Sequence, residues 1–145
     1  MQRFLNNVKL TEAQINTLRT ILIIFEERLD EIIGLCETGE KRGILYHIKN
    51  NLSEQEARQI KDRITEFKKV IGQLTQQLNL ERENSYTKKI ISGNLAILWV
   101  GLCSLESKRL KNYGHVDESV KKELDPIVNR LTKSVLEIID SLKSP

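Results

Sequence analysis

Residues 90–105 read IISGNLAILWVGLCSL, sixteen positions without a charge in a chain of 145 residues of which 30% are Asp, Glu, Lys or Arg. At 100° per residue, Ile91, Leu95, Leu98, Leu102 and Leu105 fall on one stripe, with Ile90 and Ile97 flanking it on one side and Trp99, Cys103 and Leu110 on the other. An apolar sector this wide exceeds what one neighbouring helix can cover. The stretch is therefore expected to be the middle of the most buried helix, with neighbours on at least two sides. Its back is equally uncharged: Gly93, Ala96, Val100 and Ser104 stand where a solvated helix carries Lys, Glu or Gln. Trp99 is expected to pack against the core. Asn94, at the edge of the stripe, is expected to hydrogen-bond another helix.

Towards the C-terminus, this third helix is expected to span about Ser85 to Tyr113 and to stop at Gly114. Asp117 is the candidate N-cap of a fourth helix whose stripe reads Val120, Leu124, Ile127, Leu131, Val135, Ile138 and Leu142. Asp125-Pro126 inside it marks either a kink or the start of a separate helix.

Towards the N-terminus, the short connection Leu80–Asn84 calls for antiparallel neighbours. It leads back to a second helix that begins at Ser53, with Glu56 as its capping-box partner, and runs to about Asn79. Its stripe is Ile60, Ile64, Phe67, Ile71, Leu74 and Leu78, and its other positions carry mixed charges that read as a solvated face. The first helix starts at Thr11, where Thr11 and Gln14 form a second capping box. Ile15, Leu18, Leu22, Phe25, Leu29, Ile32 and Cys36 follow until Gly39 ends it, and Ile21 and Ile24 widen the stripe. Residues 39–52, the longest connection, are too apolar at Ile44, Leu45, Tyr46 and Ile48 for a solvated loop. They are expected to fold over an end of the body as a turn or short helix, since a strand would need a partner not evident elsewhere. Residues 1–10 read as an N-terminal arm, with Phe4, Leu5, Val8 and Leu10 available to dock.

Four long helices joined this way predict an all-α fold, an antiparallel up-down-up-down four-helix bundle with a long apolar first connection, in one domain over residues 1–145. A three-helix body with a detached fourth is the alternative. A net charge of +3 without a basic half or tail gives no footprint of a dedicated DNA binder. Cys36 and Cys103 lack CxxC spacing and read as buried free thiols. The chain opens without the basic region and apolar run of a signal peptide, and residues 90–105 fall short of the roughly 20 residues that span a bilayer. Cytoplasmic localisation and no membrane partner are the resulting expectations.

No metal, cofactor or nucleotide motif is present in the sequence. A di-iron bundle needs Glu-x-x-His pairs, whereas Ile44 precedes His47 by three residues and Asn112 precedes His115. Two Arg/His pairs lie in the first and third connections: Arg42 with His47, and Arg109 with His115. In an up-down-up-down bundle both lie at one end, where Arg could stabilise a developing phosphorane charge while His moves a proton. Their spacing resembles the Arg-x4–6-His motif of the HEPN ribonuclease superfamily, also helical, although Gly43 and Leu110 stand where a polar residue commonly follows the arginine.

Two functions are thus expected as alternatives. One is a non-enzymatic helical bundle acting through self-association, as a homodimer, or through a helical protein partner, with Gly93, Ala96, Val100 and Ser104 as the interface. The arm or residues 43–48 could instead cover that face within one chain. The other is a HEPN-like metal-free ribonuclease or RNA-binding bundle using Arg42, His47, Arg109 and His115.

Overall fold

The computed structural model describes residues 3–5 and 8–143, with residues 3–5 and 8 described by their backbone alone. The described residues are mostly helical and group into two compact units, Met1–Arg82 and Glu83–Pro145.

In the first unit, β1 (Arg3–Leu5) and β2 (Val8–Leu10) pair antiparallel ahead of α1 (Glu12–Thr38). The side chains of Phe4, Leu5 and Val8, read as docking residues, lie outside the described residues, while Leu10 is half-buried. Both helices of this unit begin and end where the sequence places their caps. At the start of α1, the Gln14 N–H donates to Thr11 Oγ1 (3.1 Å) and the Thr11 N–H to Gln14 Oε1 (2.9 Å). Gly39 closes it in the left-handed region (φ 67°), its N–H reaching the Leu35 carbonyl at 2.7 Å. Ser53 and Glu56 repeat the reciprocal cap for α2 (Glu54–Leu78), which ends on Asn79 at φ 49°.

Helices α1 and α2 pack together along their lengths. Arg19 Nε donates to the Glu81 carbonyl (2.9 Å), Lys68 pairs with Asp30 (2.5 Å), and the Phe25 and Phe67 rings lie 6.0 Å apart. The hydrogen bond to Asp30 holds the Lys68 ammonium above its ordinary pKa. Ile15, Leu29, Ile64 and Leu78 are buried here, which matches the Ile15/Leu29 and Ile64/Leu78 positions of the two stripes. Phe67 does not reach the core and is exposed.

The connection between these helices corrects the expectation of a turn or short helix. It is a β-hairpin, β3 (Lys41–Arg42) with β4 (His47–Ile48), in the register Lys41↔Ile48 and Arg42↔His47. The partner strand lies within the connection itself, so no distant strand is needed. Gly43 leaves room for the Tyr46 ring: its N–H bonds the Tyr46 carbonyl at 2.8 Å, and with the ring where it lies a Cβ at residue 43 would stand 2.3 Å from it. The hairpin does not bury its apolar tip, since Ile44 and Leu45 are 101% and 96% exposed.

In the second unit, α3 (Thr87–Cys103) packs against α5 (Glu118–Ser141), with the short α4 (Ser107–Leu110) and a 3₁₀ turn (Lys111–Tyr113) between them in sequence. The expected single helix over Ser85–Tyr113 is thus broken, with a bend of 66° after Cys103. In a continuous helix the Ser107 N–H would bond the Cys103 carbonyl. Here it goes to Asp125 Oδ1 (2.9 Å), and the Ser107 hydroxyl goes to Asp125 Oδ2 (2.8 Å). Asp125 therefore caps α4 from across the unit instead of starting a helix of its own. Helix α5 is continuous through Pro126, which deprives only the Lys122 carbonyl of its intrahelical donor. Val128 is the buried apolar residue of this unit among those described.

Candidate interaction face

Helix α3 is the most apolar of the long helices, yet none of its residues is buried. This overturns the expectation of a most-buried helix. The half-buried positions are Ser92, Leu95, Trp99, Leu102 and Cys103, whereas Ile91, Leu98 and Leu105 of the expected core stripe are exposed, Leu98 at 59%. On the helical wheel, the packed face is turned by about 70° from the stripe towards Trp99. Trp99 thus moves from flank to centre of the contact. Its Nε1 is buried there without a hydrogen-bond partner among the described residues.

What remains outside is a sector of roughly 220° on the wheel. One edge holds Ile91, Leu98 and Leu105; the other holds Ile90, Ile97, Gly93, Val100 and Ala96, with Ser104 just beyond the last turn. The four residues expected to form an interface, Gly93, Ala96, Val100 and Ser104, are all exposed and all lie in this second edge. Beside them Ile97 is 73% exposed and Val100 60%. Asn94 is exposed too. No carboxylate, ammonium or guanidinium occurs between Ile90 and Leu105 to hydrate this surface.

The same one-sided packing recurs on α1 and α5. In α1, Ile15, Leu22 and Leu29 turn inwards while Ile21, Ile24, Phe25, Ile32 and Leu35 stay exposed. In α5, Leu124, Val128 and Val135 pack, with Leu142 just past its end, while Val120, Ile127, Leu131 and Ile138 do not. Each apolar sector is wide enough for two neighbours and one neighbour is filled.

The Arg/His residues fall in different units. Arg42 and His47 are directly opposite each other in the β3–β4 ladder, and His47 Nε2 lies 2.6 Å from Glu40 Oε1. That is a carboxylate-oriented imidazole on the residue paired with an arginine, residue types able to hold a phosphate and move a proton. In the second unit, Arg109 sits on α4, and His115, in the connection after the 3₁₀ turn, pairs with Asp117 at 3.1 Å. Cys36 and Cys103 are free thiols, each half-buried and in different units. Among the described residues no group of three or more His, Cys, Asp or Glu side chains is positioned to hold a metal ion. No single helix there is long and apolar enough to cross a membrane.

The exposed face was legible from the sequence as an uncharged back of the third helix. The Asp125–Ser107 capping contact was not, because nothing at residue 107 marks a carboxylate eighteen positions later as its partner. Comparison with protein-family models, curated proteins and solved structures gave no match for this chain.

Proposed function

We propose that the protein works by association through its apolar helix faces, as a non-enzymatic helical protein whose first partner is a second copy of itself. The observation that carries this reading is the uncharged, exposed sector of α3. Small side chains at Gly93, Ala96 and Ser104 allow two helix backbones to approach closely, which multiplies dispersion contacts. Ile90, Ile97 and Val100 supply the apolar area whose removal from water drives the contact. In the completed assembly, α1, α2, α3 and α5 form an antiparallel four-helix bundle, each filling the second flank that a single hairpin leaves wet. Width of the apolar sector supports this arrangement in α1, α3 and α5. A cytoplasmic homodimer is the simplest assembly of this kind.

The test is disulfide trapping. In a chain carrying Cys36→Ser and Cys103→Ala, an added Ala96→Cys should oxidise to a covalent dimer, while Arg130→Cys on the charged side of α5 should not. Equal trapping at both positions, or none at Ala96, counts against the face.

A second reading is favoured by one observation, the Arg42–His47–Glu40 cluster. In it the hairpin binds or cleaves RNA without a metal, Arg42 holding a phosphate and His47 moving the proton. Loss of RNA cleavage or binding in His47→Ala, with α-helical content unchanged, supports it; wild-type protein inert towards RNA removes it.

A further inference from the structure

The β3–β4 hairpin presents two aliphatic side chains to solvent and nothing else at its tip. Two-residue hairpin loops are ordinarily built from Asn, Asp or Gly, which suit the turn and tolerate water. Ile44 and Leu45 do neither, and at 101% and 96% exposure they stand essentially uncovered among the described residues. The turn carries one cross-strand hydrogen bond, from the Gly43 N–H to the Tyr46 carbonyl (2.8 Å), and the Tyr46 ring lies over Gly43. A preformed apolar tip loses little conformational freedom when it enters an apolar medium.

Below the tip, the residue types change in a definite order. Gly43 and Tyr46 form the next rung, then Arg42 and His47, then Lys41 and Ile48, with Lys49 following. At about 3.3 Å per residue, the first cations stand roughly 7–10 Å behind the tip. Glu40, the one carboxylate in residues 39–50, is engaged by His47. Aliphatic, then aromatic, then basic is the order of a bilayer surface met from inside: acyl chains, the interfacial zone where Tyr is enriched, and the headgroup phosphates that attract Lys and Arg.

We propose that this hairpin docks the protein on an anionic lipid surface, Ile44 and Leu45 entering the acyl-chain boundary and Lys41, Arg42 and Lys49 meeting the headgroups. Surface docking requires no membrane-spanning helix, and it is independent of the α3 contact. The experiment uses the full chain with vesicles of phosphatidylcholine alone, or with roughly a third phosphatidylserine. Wild type should co-sediment with the anionic vesicles, less as salt is raised, and not with the neutral ones. An Ile44→Ser/Leu45→Ser double variant should bind at least about tenfold more weakly, and Lys41→Glu/Arg42→Glu should lose the anionic preference. Leu45→Trp should show a blue-shifted emission on anionic vesicles, a readout that needs no destabilising change because the position is fully exposed. Failure of wild type to bind, or undiminished binding by the serine variant, overturns the proposal. So does a changed oligomeric mass of the serine variant without lipid, which assigns the tip to a second copy, or RNA binding that requires Arg42 but not vesicles or Leu45.

Discussion

Helices α2 and α3 differ in where their stability comes from. Helix α2 carries a capping box at Ser53, Glu54 and Glu56 in its first turn, and a left-handed Asn79 at its end. It buries Ile64 and Leu78 although most of its surface is polar or charged. Helix α3 begins after Tyr86 with no side-chain cap and no acidic residue in its first turn, where Lys88 and Lys89 oppose the helix dipole. It is far more apolar than α2 and buries nothing fully. A helix with weak ends and an uncharged surface is held by what packs on it, and one side of α3 is packed by α5 while the rest faces outwards. Burial is set by the neighbours available, and apolarity only records how many neighbours the sequence allows for.

This contrast is sharpened first by core truncation. Ile64→Ala and Leu78→Ala should each cost about 2–5 kcal/mol in urea or thermal unfolding, as fully buried aliphatics do. Leu98→Ala in α3, measured at concentrations where the protein is dissociated, should cost under about 1 kcal/mol. Equal losses at all three positions would mean that α3 is as enclosed as α2. A smaller effect distinguishes the two N-termini. Ser53→Ala should remove about 1 kcal/mol, and Tyr86→Asp should add a similar amount by giving α3 the cap it lacks.

The ends of α1 and α2 could be read residue by residue because Thr11, Gln14, Gly39, Ser53, Glu56 and Asn79 act on their own immediate neighbours. The break after Cys103 could not, since it depends on Asp125 taking the Ser107 N–H across a tertiary contact. The hairpin at 41–48 escaped for a different reason: its turn residues, Ile44 and Leu45, are those that turn chemistry disfavours. The wide stripes were correctly apolar, but periodicity cannot say which flank of a stripe is filled, so Leu98 and Phe67 emerged exposed. The face at Gly93, Ala96, Val100 and Ser104 was visible by its lack of charge alone. The hairpin tip acquired meaning only once its exposure was known.

The smallest expected effect is a pH dependence. The backbone N–H and hydroxyl of Ser107 hold the Asp125 carboxyl below its ordinary 3.8, and those of Ser53 hold Glu56 below 4.5. With folded values depressed, their stabilisation is present above the ordinary carboxylate range. It is lost as pH falls through the lowered values. Asp125→Asn should flatten the acid limb of the stability profile of the second unit, and Glu56→Gln that of the first. An unchanged acid limb in Asp125→Asn would mean that the α4 cap contributes nothing to folding.

The mass of the protein in solution, followed by sedimentation equilibrium at tens of micromolar, tests the association of α3 most directly. The account predicts twice the 16.8 kDa chain mass for wild type. It predicts a shift to the single-chain mass for Ala96→Glu or Val100→Lys, because each puts an unpaired charge in the contact. A wild type that stays at the single-chain mass, with variants that sediment identically, would contradict it.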